Sequence, residues 1–342
     1  MRGGDRRALR RLVIYPIVAL LLILVGNAAY ASSSVSPPPG KAPTRQPLRV
    51  TRPAALAPAA KPAPPVTTIL APSGFDRLSA DLALIAGTSG GRVGISLQEL
   101  SGPRRTSLSV NGGQSFVAAS TYKLPLLMAE AQQIASGQAR PSDLLCYAPG
   151  DAEDGWFMDY QPGSCFTRDQ LALRTGRYSD NTAAHILVRY LGGADALNRY
   201  AKSMGMTNSA LWTPNTTTPD DLSQALVSEA LGRLGGAAAQ AWLYPILTHT
   251  ATERAIPAGL PAGVTVAHKT GSMPGAENDA AYVRNGRIAY VLSITVDGLD
   301  EGTAWSLMAR ISARVWQYES SRPDFAAPVS VPSPSIPPQN RH

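Results

Sequence analysis

Beyond Ser73 the spacing of apolar positions alternates between helix and strand periods, and each change predicts an element. Leu78, Leu82, Leu84 and Ile85 recur at helical spacing and predict a first helix from about Gly74 to Ala86. Arg92 to Glu99 and Ser107 to Val110, parted by Gly102-Pro103, read as two strands of a hairpin. After Phe116-Val117-Ala118-Ala119 a long apolar helix opens near Ser120. Pro125 falls in its first turns, where a missing amide hydrogen costs least. From about Ser142 to Leu247 helical spacing returns, over Asp169 to Arg174, Asn181 to Leu191, Ala194 to Met204 and Pro219 to Leu234, with Gly and Pro between. After Pro261 the period becomes that of strands: Val264 to Lys269, Asp279 to Arg284 and Arg287 to Val296, the last two joined by the hairpin dipeptide Asn285-Gly286. A final amphipathic helix is expected from Gly302 to about Tyr318. The order predicts an α/β chain of the α+β type: a five-stranded antiparallel sheet flanked by terminal helices, with an inserted all-α subdomain.

The ends follow other rules. Arg2, Arg6, Arg7, Arg10 and Arg11 precede an apolar run from Leu12 to Gly26, followed by Ala29-Tyr30-Ala31. Residues 1–31 therefore read as an export signal cleaved after Ala31, or as an uncleaved membrane anchor, since Leu12 to Ala31 is just long enough to span a bilayer. Either reading places the folded part outside the cytoplasm, secreted or held at the outer face of the membrane. Residues 32–72 hold 11 Pro, five basic residues and no acid, which predicts an extended linker; the tail 321–342, with six Pro, reads the same way. This division changes the meaning of the net charge of +7: residues 73–320 carry −3, so the basicity belongs to the extensions and does not favour nucleic-acid binding. A basic linker suits anionic lipid or wall polymer instead. Cys146 and Cys165, 19 positions apart in an exported chain, suggest a disulfide, with two buried thiols as the alternative. The four His residues show no ligand spacing, so no metal site is expected.

Candidate chemistry lies in three short strings, Ser120-Thr121-Tyr122-Lys123, Ser179-Asp180-Asn181 and Lys269-Thr270-Gly271. The chain has only five Lys against 26 Arg, and two of the five fall in these strings. A Ser hydroxyl attacks a carbonyl poorly until a base takes its proton, and Lys can be tuned to serve where Arg cannot. At i and i+3 of a helix, Ser120 and Lys123 share one face. Ser179 offers a second hydroxyl for proton relay, Asn181 an amide for substrate backbone, and Lys269 with Thr270 an anchor for a substrate carboxylate. Gly271 permits close approach to the strand backbone.

These residues resemble the penicillin-recognising serine hydrolases, above all the class A β-lactamase-like branch, in which S-x-x-K, S-D-N and K-T-G occur in this order. The resemblance runs from about Ser73 to Gln317 and includes Asn181-Thr182-Ala183-Ala184, Thr216-Thr217-Thr218-Pro219 and His268. It implies the same β-lactamase/transpeptidase-like architecture, no cofactor, and a cleft where the three strings converge. It also implies an oxyanion hole formed by the backbone amides of Ser120 and Ser272, with the Ser272 side chain near the substrate carboxylate. Asp180 is expected to serve structure. Tyr147, Trp156, Phe157 and Tyr160 either wall the cleft or pack beneath it.

One departure limits the analogy. Class A enzymes carry an omega-loop Glu that activates the deacylating water, in a W-E-P type motif; here Leu211-Trp212-Thr213-Pro214-Asn215 has Thr213 at that place. Glu229 and Glu253, the only Glu residues between the second and third strings, stand outside the motif. A second departure is the lack of an Arg soon after Lys269 as an additional carboxylate-binding cation, Arg284 lying far along the strand. The expectation is a monomeric β-lactamase-type enzyme acylated at Ser120 by β-lactams and slow to release the product. The alternatives are a D-Ala-D-Ala carboxypeptidase-like enzyme acting on peptidoglycan peptides, and a penicillin-binding sensor or scavenger acylated without turnover.

Overall fold

The computed structural model describes residues 73–102 and 105–323. The expected signal or anchor, the linker and all but the first residues of the tail lie outside the described residues. Among the described residues no helix is long and apolar enough to cross a membrane.

The first helix, α1 (Gly74–Gly87), starts at Ser73, whose hydroxyl accepts from the Asp76 amide while the Asp76 carboxylate accepts from the Ser73 amide. Both otherwise unpaired donors are satisfied by this reciprocal cap. Strands β1 (Arg92–Glu99) and β2 (Ser107–Val110) form the expected hairpin. Of the other sheet strands, β7 (Thr265–Met273) and β8 (Ala276–Asn285) are longer than their apolar patterns predict, and β9 (Ile288–Asp297) has the expected length, one residue further along. The sheet order is β2-β1-β9-β8-β7, antiparallel throughout, and the Asn285-Gly286 turn sets Asn285 opposite Ile288. The C-terminal helix α8 (Glu301–Ser321) packs with α1 on one face of the sheet, where Leu78, Leu82, Trp305, Met308 and Ile311 meet Ile95, Leu97 and Ile294.

The second core belongs to the helical block. Its centre is α2 (Lys123–Ala135), whose residues from Lys123 to Ala131 are all buried. Around it lie α3 (Arg168–Arg177), α4 (Asn181–Leu191), α5 (Gly193–Ser203), α6 (Pro219–Ala230) and α7 (Gly236–Leu243). Each fully buried Leu here, such as Leu126 or Leu187, contributes about 1.5–3 kcal/mol through loss of apolar surface to water. The helix expected from Pro219 to Leu234 ends at Ala230, because Gly232, Gly235 and Gly236 take positive φ and turn the chain into α7. Two short ladders accompany the helices: β3 (Phe116–Val117) with β6 (Thr216–Thr217), and β4 (Leu144–Cys146) with β5 (Cys165–Thr167). Both involve strands too short for periodicity to reveal. In the second ladder Cys146 stands opposite Cys165, and the two are joined by a disulfide.

Candidate active site

Ser120 does not begin the long helix. It sits in a single 3-10 turn, Ala119–Tyr122, and α2 starts at Lys123. Ala119 has φ 45°, a left-handed conformation costly for a residue with a Cβ. The turn is held from several sides. Asn215 donates to the Ala119 carbonyl at 2.8 Å, Asn278 on β8 donates to the carbonyls of Val117 and Ala118, and Thr121 Oγ1 donates to the Ala118 carbonyl. Gly271 on β7 faces the same turn: a Cβ there would lie 2.6 Å from the Ala118 carbonyl oxygen and 3.1 Å from the Ser120 amide nitrogen. Only glycine lets the strand come this close.

The three strings converge on this turn. Lys123 Nζ lies 3.1 Å from Ser120 Oγ, 2.6 Å from the Ser179 carbonyl oxygen, 3.3 Å from Ser179 Oγ and 2.6 Å from Asn181 Oδ1. Lys269 Nζ lies 3.0 Å from the same Ser179 Oγ and donates to the Thr270 carbonyl at 2.8 Å. The Ser179 hydroxyl thus stands between two buried amines. Its φ of 58° is a second left-handed residue in the site. Asp180 caps α4 by accepting from the Ala183 amide, and its carboxylate also accepts from the amides of Trp156 and Phe157 and from the Tyr160 hydroxyl. That ties the loop 152–160 to the start of α4.

Electrostatics separates the two lysines from ordinary ones. Burial, with Lys269 nearby, pushes Lys123 well below the usual lysine range, and Asp180 and Glu153 offset only part of this. Burial pulls Lys269 down to about 7, against Asp279. A lysine near neutrality in its pKa is a competent proton acceptor. Burial thus opposes the permanent charge that its string suggests for Lys269. Behind it, burial disfavours a charged His268, but Asp279 and Glu253 outweigh this and hold its pKa at about 9. The imidazole lies 2.9 Å from Asp279 and 3.2 Å from Glu253.

Ser120 opens onto two cavities that also share Asn181 and Ser272. The first, of about 290 Å³, reaches Ser179, Lys269, Thr270, Thr250, Thr252 and Arg177. The second, of about 390 Å³, extends to Glu153, His185, Trp212, Thr213 and Asn215. Asn181 uses both ends of its amide internally, accepting from Lys123 and donating to the Asp154 carbonyl at 2.8 Å. The Ser272 hydroxyl donates to buried Glu277 at 2.9 Å, so a substrate carboxylate must compete for it. Of the four aromatics, Trp156 lines the first cavity, whereas Tyr147 and Tyr160 pack on the helical core and Phe157 stands against Tyr178. Arg284 is exposed on β8; the arginine that lines the first cavity is Arg177, two residues before Ser179. Sequence reasoning passed over Arg177, Glu153, His185 and Asn215. Only His185 carried a usable signal, four positions after Asn181 on a predicted helix and hence on its face.

Comparison with known proteins agrees with this arrangement. The family model described as the beta-lactamase enzyme family matches residues 77–319. Beta-lactamase CTX-M-25 of Escherichia coli is 31% identical over 235 residues, covering 62% of this chain and 78% of that protein. Among solved structures, PBP-A is 28% identical with a TM-score of 0.66 over 70% of this chain and 95% of its own. A PBP-A mutant has been captured as an acyl-enzyme complex with penicillin-G, at 29% identity and a TM-score of 0.66 over the same shares. An ancestral (GNCA) class A beta-lactamase is 28% identical with a TM-score of 0.63, over 70% of this chain and 99% of its own. A half-buried Ser beside a buried Lys, a hydroxyl bridging to a second lysine and a family match over residues 77–319 lead to one conclusion: the chain belongs to the beta-lactamase enzyme family, as a class A-like serine hydrolase.

Proposed function

We propose that this is an exported β-lactamase-type enzyme in which Ser120 forms the acyl-enzyme and deacylation is the slow step. The observation that carries the reading is the position of Lys123 Nζ, 3.1 Å from Ser120 Oγ, in surroundings that favour its neutral form. Lys123 accepts the Ser120 proton as Oγ attacks the β-lactam carbonyl, the developing oxyanion is met by the amides of Ser120 and Ser272, and Ser179 passes a proton to the leaving nitrogen. Asn181 binds the substrate amide, while Lys269, Thr270 and Gly271 hold its carboxylate end. An arriving carboxylate favours the charged form of Lys269, so binding restores the cation that burial suppresses.

Slow deacylation follows from Thr213. A hydroxyl in the W-x-P position cannot act as the carboxylate base used by class A enzymes, and loss of a general base costs about 10² to 10⁴ in rate, or about 3 to 5 kcal/mol. Mixing the purified protein with penicillin G and following intact mass is the test. An adduct of one penicillin is expected within the first minutes, clearing over minutes to hours. Absence of an adduct, or clearance within seconds, would overturn the proposal.

Thr213 also favours a second reading, a D-Ala-D-Ala carboxypeptidase-like enzyme or a penicillin sensor, for which rapid β-lactam turnover is not required. Release of D-Ala from a D-Ala-D-Ala peptide faster than hydrolysis of nitrocefin selects the former. A permanent adduct selects the latter.

A further inference from the structure

The cavity on the omega side of Ser120 contains groups that acylation does not use. Glu153 and His185 both line it, together with Trp212, Thr213 and Asn215. His185 Nε2 lies 3.3 Å from Glu153 Oε2, and the imidazole packs against the Trp212 ring at 4.5 Å between centroids. Glu153 comes from the loop before the second string, and that loop is fixed to α4. The Glu153 amide donates to Thr182 Oγ1 at 3.0 Å, the same hydroxyl donates to the Glu153 carbonyl at 2.8 Å, and the neighbouring Asp154 carbonyl accepts from Asn181. Asn215 contributes a further feature: its Nδ2 is bound to the Ala119 carbonyl, while its buried Oδ1 has no protein partner. A buried acceptor without a partner is the kind of atom that holds an ordered water.

We infer that Glu153 is the general base that hydrolyses the Ser120 acyl-enzyme, positioned by His185, in place of the acid missing at Thr213. This inference rests on the acyl-enzyme reading above. Burial lowers the basicity of His185, so at neutral pH its Nε2–H donates to Glu153 and leaves the second carboxylate oxygen to accept a proton. In the step, the oxygen of a water held at Asn215 Oδ1 bonds to the acyl carbonyl carbon while its proton passes to Glu153. Collapse of the tetrahedral adduct breaks the bond between that carbon and Ser120 Oγ. The proton returns to Oγ through Lys123, and the opened product leaves as its acid, which ionises in solvent. Glu153 is half-exposed and less desolvated than a base enclosed by an omega loop, consistent with slow turnover.

The test separates acylation from deacylation. Wild type, E153Q, E153D and H185N are each pulsed with penicillin G, freed of excess ligand, and followed by intact mass. For E153Q the clearance rate is expected to fall about 10- to 100-fold, with a much smaller change in the rate of adduct formation. E153D should retain part of the clearance, and H185N should fall between wild type and E153Q. Equal clearance in wild type and E153Q, or a wild-type adduct that never clears, would overturn the inference while leaving acylation at Ser120 intact. Failure of the wild type to form any adduct would remove both readings.

Discussion

At the scale of single residues, burial moves both lysines of the site away from the ordinary lysine range. Lys123 and Lys269 are both almost wholly buried and both address Ser179 Oγ, and the neighbouring Lys269 adds to burial in making a charge on Lys123 costlier. The pair is a proton acceptor and an incipient cation rather than two salt-bridge partners. Lys123→Arg tests this directly. Arg keeps a positive charge but does not deprotonate, so the rate of acylation by penicillin G is expected to fall by about 10² to 10⁴, with a thermal melt confirming the fold. Acylation at wild-type speed would exclude Lys123 as the base. That Ser120, Lys123, Ser179 and Lys269 would come together was legible because Lys is scarce in this chain and the strings keep a fixed order. Their protonation was not legible, since it depends on burial that arises only when distant segments close over them. Glu153 was invisible for a related reason: nothing in its neighbours marks a loop carboxylate that pairs with His185 on α4.

At the scale of elements, the active-site turn is held by packing of β7 against its backbone. The sequence pattern ends the strand at Lys269, but β7 continues to Met273 and carries Gly271 past Ser120. Apolar periodicity misses this extension because Thr270, Gly271 and Ser272 face backbone and cavity, where no apolar side chain is required. Gly271→Ala should therefore act on function before fold. Its Cβ would meet the Ala118 carbonyl at 2.6 Å and force the turn and strand apart. The expected loss is about 1–3 kcal/mol of stability, as for other overpacked sites, with acylation reduced at least about tenfold because reacting groups tolerate little displacement. Urea unfolding and a penicillin mass pulse measure the two. An Ala variant acylated like the wild type would show that the close approach is not required. The end of α6 at Ala230 has a similar origin, since the glycines after it allow left-handed turns that apolar spacing does not register.

At the scale of the whole molecule, a buried charge network joins the sheet edge to the loop that borders the first cavity. His268 on β7 meets Asp279 on β8 and Glu253 and Thr250 from the loop after Leu247, while Asp279 also accepts from the Ile256 amide at 3.0 Å. The folded pKa of His268 is raised from 6.5 to about 9, so its stabilisation is complete below about 6.5 and is lost as pH rises through about 9. The linked free energy is about 3 kcal/mol. Lys269 acts in the opposite sense, because its lowered pKa makes folding more favourable above about 7. The comparison with His268→Gln isolates the histidine. The wild-type advantage in urea unfolding is expected to shrink by about 3 kcal/mol between pH 6.5 and 9, whereas a constant difference would show that His268 is neutral in the fold.

The sequence by itself determined the order of strands and helices along the chain, the likeness to the class A-like serine hydrolases and the absence of an acid at Thr213. These are written locally, in periodicity, in turn dipeptides and in short strings whose spacing along the chain survives folding. Only the tertiary structure decided that β7 packs on the Ser120 turn, that the two lysines share one hydroxyl, and that Glu153 and His185 enter the cavity beside Ser120. Burial and proximity between segments far apart in the chain set those features, and neither is a property of any single stretch of sequence.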